Sequence, residues 1–336
     1  MTNDSKFISK EILMILTMLA LTLLIFVFSL SLGSTYISPA AVVKHFLQLD
    51  QGEYNFTINI LRLPRTLMAF LVGAALSVSG LILQANIKNP LASPDIIGIT
   101  GGASAGAIIY LSFFSSKFGI AGLPFAAIAG AAVISFLIYL LAWQKGVTSI
   151  RLVLIGIGIA AAVDALVTMI IVFSPISTTV QSYVWLTGSI YGTNWDEFYQ
   201  FLPWVAIFIP LAFAFYKSLN LLALGDKVAA SLGLNIQLNR FLLMTISVAL
   251  AGSAVAYAGG VSFIGLIAPH MARRISGKSY SNLIIISALT GGMIMMAADL
   301  IARTAFLPLD LPAGVFVSGI GAPFFIYLLY RNRNNF

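Results

Sequence analysis

An all-α, polytopic membrane fold of about ten spanning helices, with both termini cytoplasmic, is predicted by three observations. They are an extreme apolar composition, a series of apolar runs of spanning length, and a one-sided distribution of basic residues. Apolar residues make up 60% of the chain and charged residues 9%, with a mean hydropathy of +0.99. Soluble domains carry about 25% charge, so a bundle this apolar requires the bilayer as its solvent. The absence of cysteine excludes a disulfide framework and thiolate metal sites. The formal charge of +7 hints at nucleic acid. Basic residues held in cytoplasmic loops explain it better, and no nucleic-acid partner is expected.

The first apolar run, 11–32, follows Lys6 and Lys10. It is longer than the ~7–15-residue core of a cleaved signal peptide, so it reads as an uncleaved spanning helix. Further runs lie near 66–86, 95–114, 122–143, 151–173, 199–217, 238–257, 261–275, 282–301 and 313–330. Most approach the ~20 residues that cross a hydrocarbon core. The eighth is short and contains Pro269 and His270. An even number of crossings puts both ends of the chain on one side. With the N-terminus inside, only Lys44, Arg62, Arg65, Lys117 and Arg303 of the 18 Lys and Arg fall outside. The rest, among them Lys88, Lys145, Arg240, Lys278 and Arg333, collect inside, which fixes a cytoplasmic N-terminus. One misplaced boundary would swap the later loops and erase this asymmetry, so the bias also supports the count. Residues 1–336 read as a single transmembrane domain.

Three outer arginines lie close to membrane ends: Arg62 and Arg65 in LRLPRTL, and Arg303 in ADLIARTAF. Two readings stand. They snorkel or pair with Asp299, or they form a docking surface for an acidic external partner. Gly98, Gly102 and Gly106 are spaced for one helix face and read as close helix packing. Asp164, in the fifth run, is an intramembrane acid. It fits a proton-coupled carrier or a bond to a neighbouring helix.

No enzyme signature is present. There is no GxxxxGK[ST] phosphate loop, so this chain is not expected to hydrolyse ATP by itself. There is no HExxH site, and two histidines cannot build a His-rich metal cage. No GxSxG elbow occurs. No catalytic residue, metal or cofactor is expected.

The most distinctive feature is a polar interruption, LNLLALGDKVAASLGLNI, over 219–236. It has helical spacing, small residues, an acid, a base and two glycines that can stop a helix. A short amphipathic element between spanning helices points to a cytoplasmic partner that receives it in a groove. Ala229 and Ala230 would let that partner approach the backbone closely, and Gly225 and Gly233 would turn the chain at either end.

The chain resembles the FecCD-type permease subunits of ABC importers for iron–siderophores, haem and cobalamin. The resemblance rests on RLPRTLMAFLVGAALSVSGLILQANIKNPLASPDIIGITGGA (62–103), GGVSFIGLIAPHMARRISG (259–277), ADLIARTAFLPLDLPAGVFVSGIGAPFFIYLLYR (298–331) and the 219–236 segment. With the ten-run pattern, it covers essentially the whole chain. It implies a dimer of identical or related permease subunits, two cytoplasmic ATPase subunits and an extracytoplasmic substrate-binding protein. It implies that Leu224, Gly225, Asp226, Lys227, Val228, Ala229, Ala230, Ser231, Leu232 and Gly233 form the coupling helices seated in the ATPase. It implies that Arg62, Arg65 and Arg303 pair with glutamates of the binding protein. It also places a pathway-lining helix at 151–173, with an inner gate just before it, near Lys145 to Ile150. The implied cargo is an iron(III)–siderophore, with haem or cobalamin as the alternative. An ion-coupled secondary carrier is the remote rival. That would need more polar groups at mid-membrane than Asp164, and matching halves that the sequence does not show.

Overall fold

The computed structural model describes residues 2–49, 52–144, 146–277 and 279–332. Lys145, Lys278 and Arg333, counted in the charge bias, lie outside the described residues. Helices account for nearly all of the regular structure, and no strand occurs among the described residues. In chain order they are α1 (Thr2–Ser31), α2 (Pro39–Phe46), a π-helical segment (Phe56–Arg62), α3 (Leu63–Ile87), α4 (Ile99–Phe113) and α5 (Ser115–Phe118). There follow α6 (Leu123–Ala142), α7 (Ser149–Phe173), α8 (Ile176–Thr187), α9 (Trp195–Ala214), α10 (Tyr216–Ala223) and α11 (Asp226–Ser231). The chain closes with α12 (Ile236–Ala258), α13 (Ile264–Ser276), α14 (Tyr280–Thr304) and α15 (Ala313–Asn332).

Among the described residues, seven helices are long and apolar enough to cross a membrane, and Ile99–Phe113 and Ala313–Tyr327 are shorter apolar helices. Each predicted run coincides with a helix. The eighth becomes α13, whose 13 residues rise only about 20 Å, short of a ~30 Å core. Two boundaries moved for physical reasons. The second span begins at Phe56, because π-helical turns over Phe56–Arg62 run directly into α3. The third begins at Ile99, because Gly98 takes a left-handed φ of 70° and caps the helix there.

Helix α3 is the centre of the bundle. In the most apolar stretch of 56–87, 83% of residues are buried, against 22% for α7. The reason is a lack of side chain where helices meet. A β-carbon on Gly73 would sit 2.1 Å from the Gly291 carbonyl oxygen of α14, and one on Gly80 would sit 1.8 Å from the Gly265 oxygen of α13. Helices α3 and α14 run antiparallel in fixed register. Arg65 meets Asp299, Gly73 meets Gly291, and the Ser77 hydroxyl donates to the Ser287 carbonyl at 2.7 Å. In a bilayer, where lipid tails are as apolar as Leu, this close approach supplies the packing that holds helices together. Helices α4 and α6 use the same device: a β-carbon on Gly102 would meet the Gly130 oxygen at 2.6 Å, and one on Gly106 the Ala126 oxygen at 2.1 Å. The predicted glycine face is therefore a packing surface.

Candidate functional site

The ends of α3 carry two separate charged clusters. At its N-terminal end the backbone brings Arg62 and Arg65 to Arg303, the last-turn cation of α14. Arg65 is buried and all three of its nitrogens are engaged. Its Nε donates to Asp299 Oδ1 at 2.9 Å, and its terminal nitrogens grip both oxygens of Asp310 at 2.6 and 2.8 Å. A fork on a carboxylate is the strong, directional form of an arginine pair. Asp299 is fully buried, and its Oδ2 lies 3.8 Å from Arg303 Nε. Arg303 donates to the carbonyl and the hydroxyl of Ser29 on α1. Arg62 donates to the carbonyls of Leu30, Ser31 and Thr35 and to the Thr35 hydroxyl. Among the described residues, no carboxylate pairs with Arg62. The three arginines line one cleft of about 580 Å³ together with Tyr191, Asn194 and Asp310. The cluster thus holds three cations and two anions, with the uncompensated charge on Arg62.

The structure gathers the three sequence-predicted arginines into one place, and also gives them work inside the chain. The pairing with Asp299, one of the two readings of the sequence, is present for Arg65 and Arg303. Asp310 was not singled out from sequence. Its signal was a lone acid in LPLDLP, and the partner that made it meaningful is distant in the chain.

At the C-terminal end of α3, the predicted polar interruption is two short helices, α10 and α11, joined at Gly225. Its first helix begins at Tyr216 rather than Leu219. Gly225 and Gly233 both take positive φ, 111° and 84°, the backbone shape expected of them as turn glycines. Leu224, Lys227, Val228, Ala230, Ser231, Leu232 and Gly233 are exposed, while Gly225 and Asp226 are half-buried. Leu224, Val228 and Leu232 are exposed apolar side chains, and Val228 and Leu232 are spaced four apart on α11 and its C-cap. Ala229 departs from the reading of it as a partner-facing residue. It is fully buried within this chain, and its small size lets α11 lie against the bundle.

Asp226 opens α11 and is held by two cations. Lys88 Nζ, on a left-handed residue just past α3, donates to Oδ1 at 2.7 Å. An Arg240 terminal nitrogen reaches both oxygens at 3.3 and 3.4 Å. Partial burial pulls the Asp226 carboxyl up, but the Lys88 hydrogen bond and the charges of Arg240 and Lys88 outweigh it. The group is held below the usual carboxylate range. Sequence reading counted Lys88 and Arg240 only as orientation charges.

Asp164 lies on an exposed face of α7, where its carbonyl accepts from the Thr168 hydroxyl at 2.8 Å. A carboxylate facing hydrocarbon at mid-span is costly, so this face of α7 belongs against protein or water. Among the described residues, no group of three or more His, Asp or Glu gathers to hold a metal ion.

A helical bundle with several helices long and apolar enough to span, charge clusters at its ends and an exposed polar turn between two of them, is a multi-pass membrane protein. The chain belongs to the FecCD transport family, which matches residues 21–331. It is 46% identical over 316 residues to the achromobactin transport system permease protein CbrC of Dickeya dadantii (strain 3937), covering 94% of this chain and 90% of that one. It is 41% identical over 331 residues to the probable siderophore transport system permease protein YfhA of Bacillus subtilis (strain 168), covering 97% and 96%. Among solved structures it is similar to an inward-facing conformation of an ABC transporter assigned to the metal-chelate type. There the TM-score is 0.83 at 28% identity, over 95% of this chain and 99% of that one. A chain from PsaBC of Streptococcus pneumoniae, at 17% identity, TM-score 0.53, 85% of this chain and 95% of that one, agrees in fold alone.

Proposed function

We propose that this chain is the membrane-spanning subunit of a binding-protein-dependent ABC importer that carries an iron(III)–siderophore into the cytoplasm. The observation that carries the reading is agreement over nearly the full chain with permeases named for siderophore and iron–chelate transport. In this reading the chain crosses the bilayer ten times with both termini inside. The Arg62–Arg65–Arg303 cleft faces out, and the 224–233 segment faces in. Two such subunits pair, identical or related, and the exposed face of α7 around Asp164 meets the partner or the path between them. A loaded binding protein docks on the outer cleft, where the free charge of Arg62 favours an acidic partner. Two ATPase subunits receive Leu224, Val228 and Leu232 in a groove. ATP binding draws those subunits together, and the 224–233 segment passes the movement to the spanning helices, giving alternating access. No covalent chemistry is required of this chain.

The test is uptake of radiolabelled ferric siderophore by vesicles holding the assembled transporter, with binding protein outside and ATP within. Uptake that needs all three components is the expected result. Uptake driven by a proton gradient without the ATPase subunit overturns the reading.

A further inference from the structure

The first turns of α12 hold one short piece of chain from both sides. Val147, just before α7, donates its backbone N–H to Gln237 Oε1 at 3.0 Å, and its carbonyl accepts from Arg240. Both backbone groups of one residue are thus taken by side chains three apart on one helix. Gly146 makes room for this. It has a φ of 117°, and a β-carbon there would lie 2.7 Å from the Gln237 amide nitrogen. Arg240 is the largest fully buried side chain among the described residues, 1% exposed. Its second terminal nitrogen reaches Asp226, the first residue of α11. One guanidinium therefore spans from the 224–233 segment to the entry of α7.

The neighbouring contacts leave this joint little freedom. Asn86, in the last turn of α3, donates to the Arg240 carbonyl at 3.2 Å, and its own carbonyl accepts from the Ser149 hydroxyl of α7 at 3.3 Å. Arg151, on the first turn of α7, donates to the carbonyls of Ala142, Gln144 and Gly146. A buried arginine is costly unless it is paired and hydrogen-bonded, and Arg240 is held through its two terminal nitrogens while its Nε finds no partner. Packing α12 against α6 would be served as well by an apolar side chain. The same position with an arginine commits α11 and α7 to one arrangement.

We propose that Arg240 is the positioning residue that makes α11 and the start of α7 move as one body. It conveys displacement of the 224–233 segment to the helix that carries Asp164. This rests on the reading that 224–233 receives the motion of an ATPase subunit. The link is direct: Asp226 to guanidinium, guanidinium to the Val147 carbonyl, Val147 to α7 two residues on. Lys88 also pairs with Asp226, but it holds Asp226 to the end of α3, and α3 reaches α7 through the Asn86 carbonyl rather than through Lys88 itself.

The experiment uses the assembled transporter in vesicles with its ATPase subunits and binding protein. Three variants are compared: Asp226→Asn, Arg240→Met and Lys88→Met. Three quantities are read: ATPase co-purification, ATP hydrolysis stimulated by binding protein, and ferric siderophore carried per ATP. Asp226→Asn and Arg240→Met are expected to keep the ATPase bound and hydrolysing while transport per ATP falls on the order of tenfold. Lys88→Met should stay within about twofold of the parent. Because the chain has no cysteine, spin labels at Lys227→Cys and Ile150→Cys report the joint cleanly. The parent should give one narrow distance with or without trapped ATP, and Asp226→Asn a broadened one. If Arg240→Met fails to assemble, Asp226→Asn alone decides. Unchanged transport per ATP with an unchanged label distance overturns the role of Arg240, as does an equal loss in Lys88→Met. A parent protein that does not retain the ATPase at all sinks the reading of 224–233 instead.

Discussion

The two ends of α3 solve the same electrostatic problem in different ways. At the Arg62 end, Asp299 is fully buried between Arg65 and Arg303, and Asp310 closes the other side of Arg65. At the Lys88 end, the central acid is Asp226, whose side chain is 45% exposed and sits on a helix of six residues. The first cluster ties long helices α3 and α14 together. The second ties a short surface helix to the bundle. Low dielectric makes each buried pairing strong and each missing partner expensive. The Asp299 cluster is therefore a fixed platform, with one unpaired cation to offer. The Asp226 cluster is wetter and more compliant, suited to an element that is pushed.

The comparison can be broken most forcefully at Asp299. Asp299→Ala leaves two buried arginines facing each other, and removing one partner of a buried pair costs about 3–5 kcal/mol. A large fall in the thermal unfolding temperature of the purified protein is expected, and an unchanged temperature would show the platform to be loose. Arg62→Gln comes next. Its shorter side chain gives up the bonds to Thr35 and removes the charge that no carboxylate balances. Binding-protein affinity should weaken by about 2–5 kcal/mol if the lost pair becomes buried on docking, with a smaller fall in unfolding temperature than Asp299→Ala gives. Equal affinity, measured by surface binding to the reconstituted transporter, would remove Arg62 from the docking face.

The inner end is sharpened by a pair of neighbours. Ala229→Leu overpacks a fully buried site and should destabilise by about 1–3 kcal/mol. Exposed Ala230→Leu should shift stability by no more than about 0.5 kcal/mol while lowering ATPase co-purification. If the two behave alike, α11 is not seated as described. The smallest effect is one of pH. Asp226 has a depressed folded pKa, so the stabilisation it brings is present above its unfolded pKa and lost as pH falls through the folded one. The Lys227–Ile150 label distance should hold from pH 8 to 5 and broaden only below about pH 4. Broadening near pH 6 would assign the joint to a different group.

Sequence reading reached the fold because hydrocarbon imposes a simple rule: each span must be apolar and of sufficient length. It reached Arg62, Arg65 and Arg303 because charge on the wrong side of a membrane stands out. Asp310, Arg240 and Val147 were not legible in that way. Asp310 acquires its role from Arg65, distant in sequence, and a carbonyl such as that of Val147 has no side-chain signature. Ala229 was misassigned to the partner face because Ala reads alike on either side of a short helix.

The glycine contacts of α3 bear on how such a chain can diversify. Where backbone touches backbone at Gly73–Gly291 and Gly80–Gly265, even one added methyl group must displace a neighbouring helix, so change there is nearly closed to selection. Helix α7, by contrast, leaves most of its surface outside the monomer core. Descendants that acquire a new cargo would accumulate their differences on the loosely covered helices, around a central post that stays the same.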